Sequence, residues 1–178
     1  MRCESSAGAG RPPPGTWRYV VTRMLDTLGL WAYAAFRFPL LAVLRPRVER
    51  LDENASRVRV VMGHLTRNHL GTMYFGALCM GAELGPGLLA MRCIRERGNR
   101  TALIFKEFHA KFLRRVEGDA VFHCDEGAEL CRMVDEALAS GARGERTVKV
   151  VATVPLLSGE EPVAEFELTI SVKRRGGQ

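Results

Sequence analysis

The sequence lacks the common signatures of nucleotide binding, metal coordination and covalent catalysis. Its 178 residues contain no P-loop, no GxGxxG motif after a strand and no GxSxG nucleophile elbow. The five cysteines include no CxxC pair, which argues against zinc ribbons and thioredoxin-like redox sites and favours a reducing compartment. The four histidines show no metal-ligand spacing of the HxxxH type: His64, His69, His109 and His123. We therefore predict neither a metal site nor a cofactor.

Long uninterrupted apolar runs are also missing. Residues 1–15 lack the apolar stretch of a secretory signal, so we predict a cytoplasmic protein that begins with a disordered, Gly/Pro-rich arm. Residues 28–44 are almost wholly apolar, but Arg37 and Pro39 interrupt this 17-residue run, and a bilayer span needs ~20. The run indicates either a helical segment that packs on the body of the protein or a peripheral contact with a membrane.

The net charge of +6 is concentrated near the N-terminus. Residues 1–50 hold eight arginines against three acidic residues, whereas residues 51–178 hold 18 basic residues against 17 acidic ones. A nucleic-acid-binding domain carries its basic excess on the folded core, so this distribution argues against a nucleic-acid partner. The length predicts about one domain, which we place at residues 45–175, after an N-terminal helical extension over residues 16–44.

An amphipathic helix is predicted within that extension. Apolar residues recur at i, i+3, i+4, i+7, i+8 and i+11, the spacing that aligns them along one face of a helix. These residues are Trp17, Val20, Val21, Met24, Leu25 and Leu28. Polar residues occupy the opposite face: Arg18, Thr22, Arg23 and Asp26.

Alternating apolar and polar residues predict several strands after the extension. One lies near residues 58–62 and a short one at residues 119–124. Residues 147–157 and 164–173 predict a hairpin, joined through Ser158-Gly159-Glu160-Glu161. A helix is predicted over residues 126–139, with Gly141 just past its end.

A further strand, between residues 101 and 116, contains a change of parity. Its apolar positions are first Leu103 and Phe105, then Phe108, Ala110 and Phe112. A one-residue bulge near Lys106–Glu107 keeps all of them on one face, because a strand without it would turn half of them to the other side.

The segment from Thr72 to Met91 is apolar on every side and is predicted to be a buried helix. Pro86 is expected to kink or end its regular part. Glu83 is its one acidic residue, and desolvation would raise the pKa of such a carboxyl group. Glu83 is thus either a structural polar contact or a catalytic group. A long buried helix after two strands and before four antiparallel ones predicts an α+β fold, with the sheet wrapped around the helix.

Residues 68–77, Asn-His-Leu-Gly-Thr-Met-Tyr-Phe-Gly-Ala, resemble the signature of hotdog-fold acyl-CoA thioesterases of the phenylacetate-pathway type. Asn68 and Gly71 match an Asn and a following Gly in that signature. Glu83 lies nine positions after Tyr74, which is the spacing between the family's helix-opening His and its catalytic Asp or Glu. The segment is also similar to an uncharacterised hotdog branch whose helix begins Asn-His-Leu-Gly-Thr.

The sequence departs from the His-Gly-Gly of these thioesterases at the start of the helix. Tyr74 and Phe75 replace the His and the first Gly, and Gly76 matches the second Gly. The resemblance covers about residues 45–175 and implies a hotdog domain that forms a homodimer or homotetramer. It implies hydrolysis of an acyl-CoA or acyl-carrier thioester, and a hydrolase of this kind needs no cofactor.

The same resemblance implies a role for each matched residue. The helix N-terminus, with the N–H groups of Phe75 and Gly76, would polarise the thioester carbonyl. Glu83 from across a dimer interface would activate water or attack directly, and Asn68 would order that water or hold the acyl carbonyl. Gly71 and Tyr74 would line the substrate pocket.

Two other functions remain open at this point. One is a non-catalytic hotdog module that binds an acyl chain or serves in assembly, with Glu83 as a structural carboxylate. The other is a membrane-peripheral lipid-handling protein that makes contact through residues 16–44.

Overall fold

The computed structural model describes residues 24–32, 36, 38–98 and 101–174. Residues 24–32 belong to a helix, α1. The other helices are α2 (Pro39–Val43), α3 (Phe75–Glu96), α4 (Gly127–Ser140) and α5 (Pro155–Ser158). The strands are β1 (Arg47–Leu51), β2 (Ser56–Val60), β3 (Thr101–Phe112), β4 (Ala120–Cys124), β5 (Gly144–Thr153) and β6 (Pro162–Arg174). The predicted arm, residues 1–15, lies outside the described residues.

The six strands form one antiparallel sheet in the order β1-β2-β4-β5-β6-β3. Two strands precede α3 and four follow it, as the sequence predicts. Strands β1 and β3 form the two edges, so the longest unprotected edge belongs to the 12-residue strand β3. The α+β architecture is confirmed.

Helix α3 packs against the inner face of the sheet, where it contacts β2, β3, β4 and β5. Eleven of its residues are buried, which explains why the sequence is apolar on most sides of the helix. Gly81 lies so close to β4 that a Cβ atom there would be 2.4 Å from the ring of Phe122. The absence of a side chain at Gly81 thus permits the close approach of helix and sheet.

Pro86 was expected to kink or end the helix. It does not end the helix, because α3 continues through Pro86 to Glu96. Pro86 is buried in the helix–sheet contact. We attribute the continuation to this packing, which offsets the one backbone hydrogen bond that a proline cannot donate. The helix also begins three residues later than predicted, at Phe75.

The bulge in β3 is confirmed. Phe105 pairs with Ile170, and the next paired residue is Glu107 opposite Thr169, so Lys106 is the extra residue. Beyond the bulge, Phe108 and Phe112 return to the inner face, where both rings lie about 6 Å from that of Phe166 (5.8 and 6.0 Å between centroids). The inner face of β3 therefore stays apolar beyond the part that α3 covers.

The predicted hairpin is present as β5 and β6, with two differences. Strand β5 begins earlier, at Gly144, and the single-turn helix α5 replaces the end of the predicted first strand. Helix α4 ends as predicted, at Gly141, whose φ of 70° is left-handed. These differences lie at element ends, where sequence periodicity is least informative.

The N-terminal extension is helical where it is described, but its predicted apolar stripe does not pack on the protein. Met24, Leu25 and Leu28 are exposed. Thr27 instead faces the body, where its Oγ1 accepts a hydrogen bond from the Val48 N–H at 3.0 Å. The other stripe residues, Trp17, Val20 and Val21, lie outside the described residues.

The structure joins Cys93 of α3 to Cys131 of α4 in a disulfide. The two residues are 38 positions apart, and the spacing of the cysteines gave no sign of this pair. The sequence-based preference for a reducing compartment did not anticipate it. Cys79 and Cys124 are free thiols.

Candidate active site

Asn68 organises the loop that leads into α3. Its Oδ1 accepts hydrogen bonds from the backbone N–H groups of Leu70 (2.9 Å) and Thr72 (3.2 Å), and its Nδ2 donates to Thr72 Oγ1 (3.0 Å). The Asn68 N–H donates to the Thr72 carbonyl at 2.8 Å. Gly71 closes this loop with a φ of 79°, a left-handed conformation that favours glycine. Asn68 and Gly71 thus fix the chain immediately before the helix.

The two residues before α3 are held by backbone hydrogen bonds from two directions. The Met73 N–H donates to the Val116 carbonyl and the Tyr74 N–H to the Thr66 carbonyl, both at 2.7 Å. Thr66 is buried, and its Oγ1 accepts from the Gly63 N–H at 2.8 Å. The start of the helix is therefore positioned by the body of the protein.

The first two N–H groups of α3 have no acceptor among the residues that the structure describes. Tyr74 is the N-cap, and no side chain caps this end of the helix. The N–H groups of Ala77 and Leu78 donate to the Tyr74 carbonyl at 2.9 and 3.2 Å. Those of Phe75 and Gly76 find no partner within the part of the chain that the structure describes. Two free donors at the positive end of a helix dipole favour a negative charge placed beside them.

The side chains of Tyr74 and Phe75 lie beside these donors. The Tyr74 ring folds back over Gly76, where a Cβ atom would lie 2.5 Å from Tyr74 Cε1. Gly76 therefore makes room for the tyrosine that stands at the position of the family's His. The Phe75 ring packs edge-on at 4.9 Å from that of Tyr74 and reaches towards Phe112, 6.5 Å away between centroids. The Phe75 ring thus packs on Tyr74 and Phe112, and the Phe75 N–H has no hydrogen-bond partner among the described residues.

A cavity of about 310 Å³ opens at this end of α3. Its buried lining residues are the apolar Met73, Leu78 and Val116 and the polar Thr72. Aromatic side chains of Tyr74, Phe75 and Phe112 complete the apolar part, and Asn68, His69, Thr72, Arg114 and Arg115 supply polar groups. The structure therefore brings Asn68, Tyr74 and Phe75 to one cavity, with Gly71 and Gly76 in the adjoining backbone.

Glu83 does not line this cavity. It lies on a partly exposed face of α3 that also carries Gly76, Cys79, Met80 and Gly87, and we call this face the open face of α3. The Glu83 carboxylate has no hydrogen bond or ion pair with any residue the structure describes. Burial raises its pKa above the ordinary value of 4.5, so its proton is lost less readily.

Glu83 and the free N–H groups cannot serve one site within a single chain. Glu83 follows Phe75 by eight helical positions, which separates them by about 12 Å at 1.5 Å per residue. A carboxylate that activates water must be within hydrogen-bond reach of that water, beside the carbonyl under attack. The free N–H groups and Glu83 therefore lie at two separate places on one chain, the start of α3 and the open face of the same helix.

Sequence reasoning missed the contribution of the segment after β3. Arg114 and Arg115 line the cavity. Arg114 forms an ion pair with Glu161, whereas Arg115 has no ion-pair partner among the described residues. The change of parity in β3 is the sequence feature that could have indicated this region, because it predicts that Phe112 lies on the inner face of the sheet. Among the described residues, no group of three or more His, Cys, Asp and Glu side chains could hold a metal ion.

Comparison with solved structures identifies the architecture. A protein of unknown function from Pseudomonas aeruginosa, designated "Probable Thioesterase", is 26% identical, with a TM-score of 0.66 over 83% of this chain and 96% of that chain. A protein of unknown function from Chlorobaculum tepidum is 14% identical, with a TM-score of 0.73 over 86% and 97%. A thioesterase from Haemophilus influenzae is 11% identical, with a TM-score of 0.55 over 76% and 82%.

These similarities, together with the sheet wrapped around α3, define a member of the hotdog-fold thioesterase superfamily. No curated protein matches the sequence significantly. Within the superfamily, the chain belongs to the family described as "Domain of unknown function (DUF4442)", which matches residues 30–172. The resemblance seen at residues 68–83 is thereby confirmed at the level of fold and superfamily.

Proposed function

We propose that this protein hydrolyses acyl thioesters, of coenzyme A or of an acyl carrier, at sites formed between two copies of the chain. The observation that carries the proposal is the pair of unpartnered N–H groups at Phe75 and Gly76, beside an apolar cavity. The thioester carbonyl oxygen would accept hydrogen bonds from these groups, which stabilise the negative charge that forms on it during attack. The acyl group would occupy the apolar part of the cavity.

Glu83 of the second copy would supply the base. Its carboxylate would take a proton from water as the water oxygen bonds to the carbonyl carbon. The carbon–sulfur bond then breaks, and the proton passes to the departing sulfur, which gives a carboxylic acid and a thiol. The carboxylate on the open face of α3 supports this assignment, because none of the described residues forms a hydrogen bond or ion pair with it. Asn68 would act as a positioning residue through the loop that it holds.

Strand β3 supports the pairing of two copies. It forms an edge of the sheet, and among the described strands only β6 pairs with it. Its exposed apolar side chains include Ile104, Phe108 and Phe112. A long apolar edge strand is a template for pairing with another chain. The open face of α3 runs beside β3, as shown by Gly87, whose Cβ position lies 3.7 Å from the Phe105 ring.

Substitution at Glu83 tests the chemical assignment. Glu83→Gln keeps the shape of the side chain but removes the base, so we expect hydrolysis of a panel of acyl-CoAs to fall by roughly 10²–10⁴-fold. Glu96→Gln, at the exposed end of the same helix, is the matched control and should keep wild-type activity. Hydrolysis at the wild-type rate by Glu83→Gln would contradict the proposal. Acyl-CoA binding by the wild type without turnover would instead indicate a non-catalytic hotdog module.

Substitution at Phe75 tests the role of the helix N-terminus. Phe75 is the first residue of α3, a position that accepts proline without loss of helical hydrogen bonds. Phe75→Pro removes one of the two free N–H groups, and loss of one such donor costs about 10²–10³-fold in kcat. Phe75→Ala removes the same ring but keeps the N–H, so it separates the donor from the side chain. Equal activities in the two variants would show that the N–H plays no part.

A further inference from the structure

Helix α1 presents Met24, Leu25 and Leu28 to the solvent and turns Thr27 and Leu30 to the protein. Leu25 and Leu28 are 63% and 62% exposed. Asp26 and Thr27, on the other side, are only partly exposed. A helix that covers a protein core does the reverse, with its apolar stripe inward. The orientation of α1 thus leaves an apolar stripe that none of the described residues covers.

Hydrogen bonds to the sheet keep α1 in this orientation. The Val48 N–H of β1 donates to Thr27 Oγ1 at 3.0 Å, and Trp31 Nε1 donates to the Pro46 carbonyl at 2.8 Å. Leu30 is buried in the core. Rotation of α1 that buried Leu25 and Leu28 would break both hydrogen bonds. The fold therefore holds these two leucines at the surface.

Further exposed apolar side chains follow α1 along the chain. Phe36 is 92% exposed and Leu40, in α2, is 66% exposed. Together with Met24, Leu25, Leu28 and Val43, these residues form what we call the N-terminal apolar surface. Monomeric soluble proteins expose large apolar patches mainly where they meet a partner or a membrane.

Basic residues border this surface. Arg45 and Arg47 directly follow α2 and are exposed, and neither forms an ion pair with any residue that the structure describes. Within residues 1–50 the sequence holds eight arginines against three acidic residues. A second copy of the chain that joined through the same face would bring its own Arg45 and Arg47 to that contact, and like charges repel.

We propose that the N-terminal apolar surface, with Arg45 and Arg47, docks this protein on a membrane that contains anionic lipids. The apolar side chains would enter the boundary between headgroups and acyl chains, while the arginines meet lipid phosphates. The docking is peripheral, because the apolar run of residues 28–44 is only 17 residues long and contains Pro39. Helix α3 is long and apolar enough to cross a bilayer, but 61% of its most apolar window is buried inside the fold.

Vesicle co-sedimentation of the full-length protein tests the proposal. We expect the protein to sediment with vesicles of phosphatidylcholine and phosphatidylglycerol in equal amounts, and to bind less to phosphatidylcholine alone. The triple variant Leu25→Ser, Leu28→Ser, Leu40→Ser should lower the binding by at least about tenfold. The control is Leu156→Ser, Leu157→Ser on α5, where the leucines are 84% and 65% exposed but lie outside the surface. It should bind like the wild type.

A charge variant tests the lipid headgroups separately. Arg45→Glu, Arg47→Glu should weaken binding to the anionic vesicles by roughly tenfold or more and bring it close to the value for phosphatidylcholine. Lys173→Glu, Arg174→Glu on β6, four strands from β1 in the sheet, should have no such effect.

Two results would overturn the proposal. The first is a wild-type protein that stays in the supernatant with the anionic vesicles. The second is a triple variant that binds vesicles normally but has a smaller mass in solution than the wild type, since the surface would then join copies of the chain. Circular dichroism and thermal melting of each variant show whether it is folded before its binding is compared.

Discussion

At the scale of single residues, Glu83 gives the clearest pH-dependent expectation. Its carboxylate must be ionised to act as a base, and burial raises its pKa above 4.5. As the pH falls through that raised pKa, Glu83 takes up a proton and the base is lost. We therefore expect kcat/KM for thioester hydrolysis to decline on the acid side with an apparent pKa above 4.5, as measured over a series of buffers.

His123 provides the control for this pH profile. Its pKa is lowered from 6.5 by burial and by the nearby Arg57 guanidinium, so it also titrates on the acid side. His123 lies on β4, where Nε2 is 2.9 Å from Thr153 Oγ1, and it does not line the cavity. His123→Gln should therefore leave the acid limb in place. A kcat/KM that does not decline as the pH is lowered to 4.5 would contradict the assignment to Glu83, and so would loss of the acid-side decline in His123→Gln.

Two glycines of α3 should respond oppositely to alanine. A methyl group at Gly81 would lie 2.4 Å from the buried ring of Phe122, whereas at Gly87 its nearest neighbour is Phe105 Cζ at 3.7 Å, an ordinary contact. Overpacking costs about 1–3 kcal/mol, against a gain of up to ~1 kcal/mol from replacing a helical glycine. Gly81→Ala should thus lower the free energy of unfolding by roughly 1 kcal/mol or more, and Gly87→Ala should raise it. Urea denaturation measures both, and a stabilised Gly81→Ala would show that the helix and sheet can separate without loss.

At the scale of elements, the disulfide between α3 and α4 should contribute measurably to stability. Cys93 and Cys131 are 38 positions apart in the chain. Closing a loop of that length in the unfolded chain stabilises the folded state by about 2–4 kcal/mol. We expect a reducing agent to lower the free energy of unfolding by this amount in the wild type, and to have no effect in Cys131→Ser.

Cys79→Ser is the matched control for the disulfide, because Cys79 is a free thiol on the same helix as Cys93. It should keep the full response to the reducing agent. Peptide mapping of the unreduced protein should recover the peptides of Cys93 and Cys131 joined. Alkylation of all five cysteines in the unreduced, unfolded protein would show that the bond does not form in solution.

The sequence predicted those elements whose residues repeat with a regular period. The parity change at Lys106 indicated the bulge, because an apolar set that changes register can stay on one face only if one residue is added. The apolar segment before Met91 predicted the buried helix, but not that it passes Pro86, because the compensating contacts come from a distant strand. The Cys93–Cys131 bond could not be predicted for the same reason: its residues meet only when α4 docks on α3.

In the candidate site too, the sequence predicted local features but not contacts between distant parts of the chain. The local motif indicated where Asn68, Phe75, Gly76 and Glu83 lie relative to the buried helix, because a loop, a helix start and a position on a helix are set by nearby residues. It did not predict the ring of Tyr74 over Gly76 or the arginines after β3, since these depend on how the chain returns to the helix. Periodicity gave the helical stripe of Met24, Leu25 and Leu28, but it does not encode which side of a helix faces the protein.

At the scale of the whole molecule, the proposed chemistry requires at least two copies of the chain. Along one helix the backbone of Glu83 lies about 12 Å from that of Phe75 and about 10 Å from that of Gly76, too far for one reacting carbonyl. Pairing through the β3 edge would place the open faces of two α3 helices in one assembly. The mass in solution should therefore be at least twice the 19.7 kDa of one chain, as measured by sedimentation.

Dimers that combine two different variants distinguish a site shared between two chains from a site formed within one chain. Glu83→Gln lacks the base but keeps the helix N-terminus, whereas Phe75→Pro lacks a donor but keeps Glu83, so each should be nearly inactive alone. When the two variants are unfolded together and refolded as a mixture, half of the dimers contain one chain of each kind, and each of these has one intact site. The mixture should then recover about a quarter of wild-type activity. A site formed within one chain cannot be restored by mixing. If mass spectrometry detects the mixed dimers but the mixture stays as inactive as its components, both half-sites belong to the same chain.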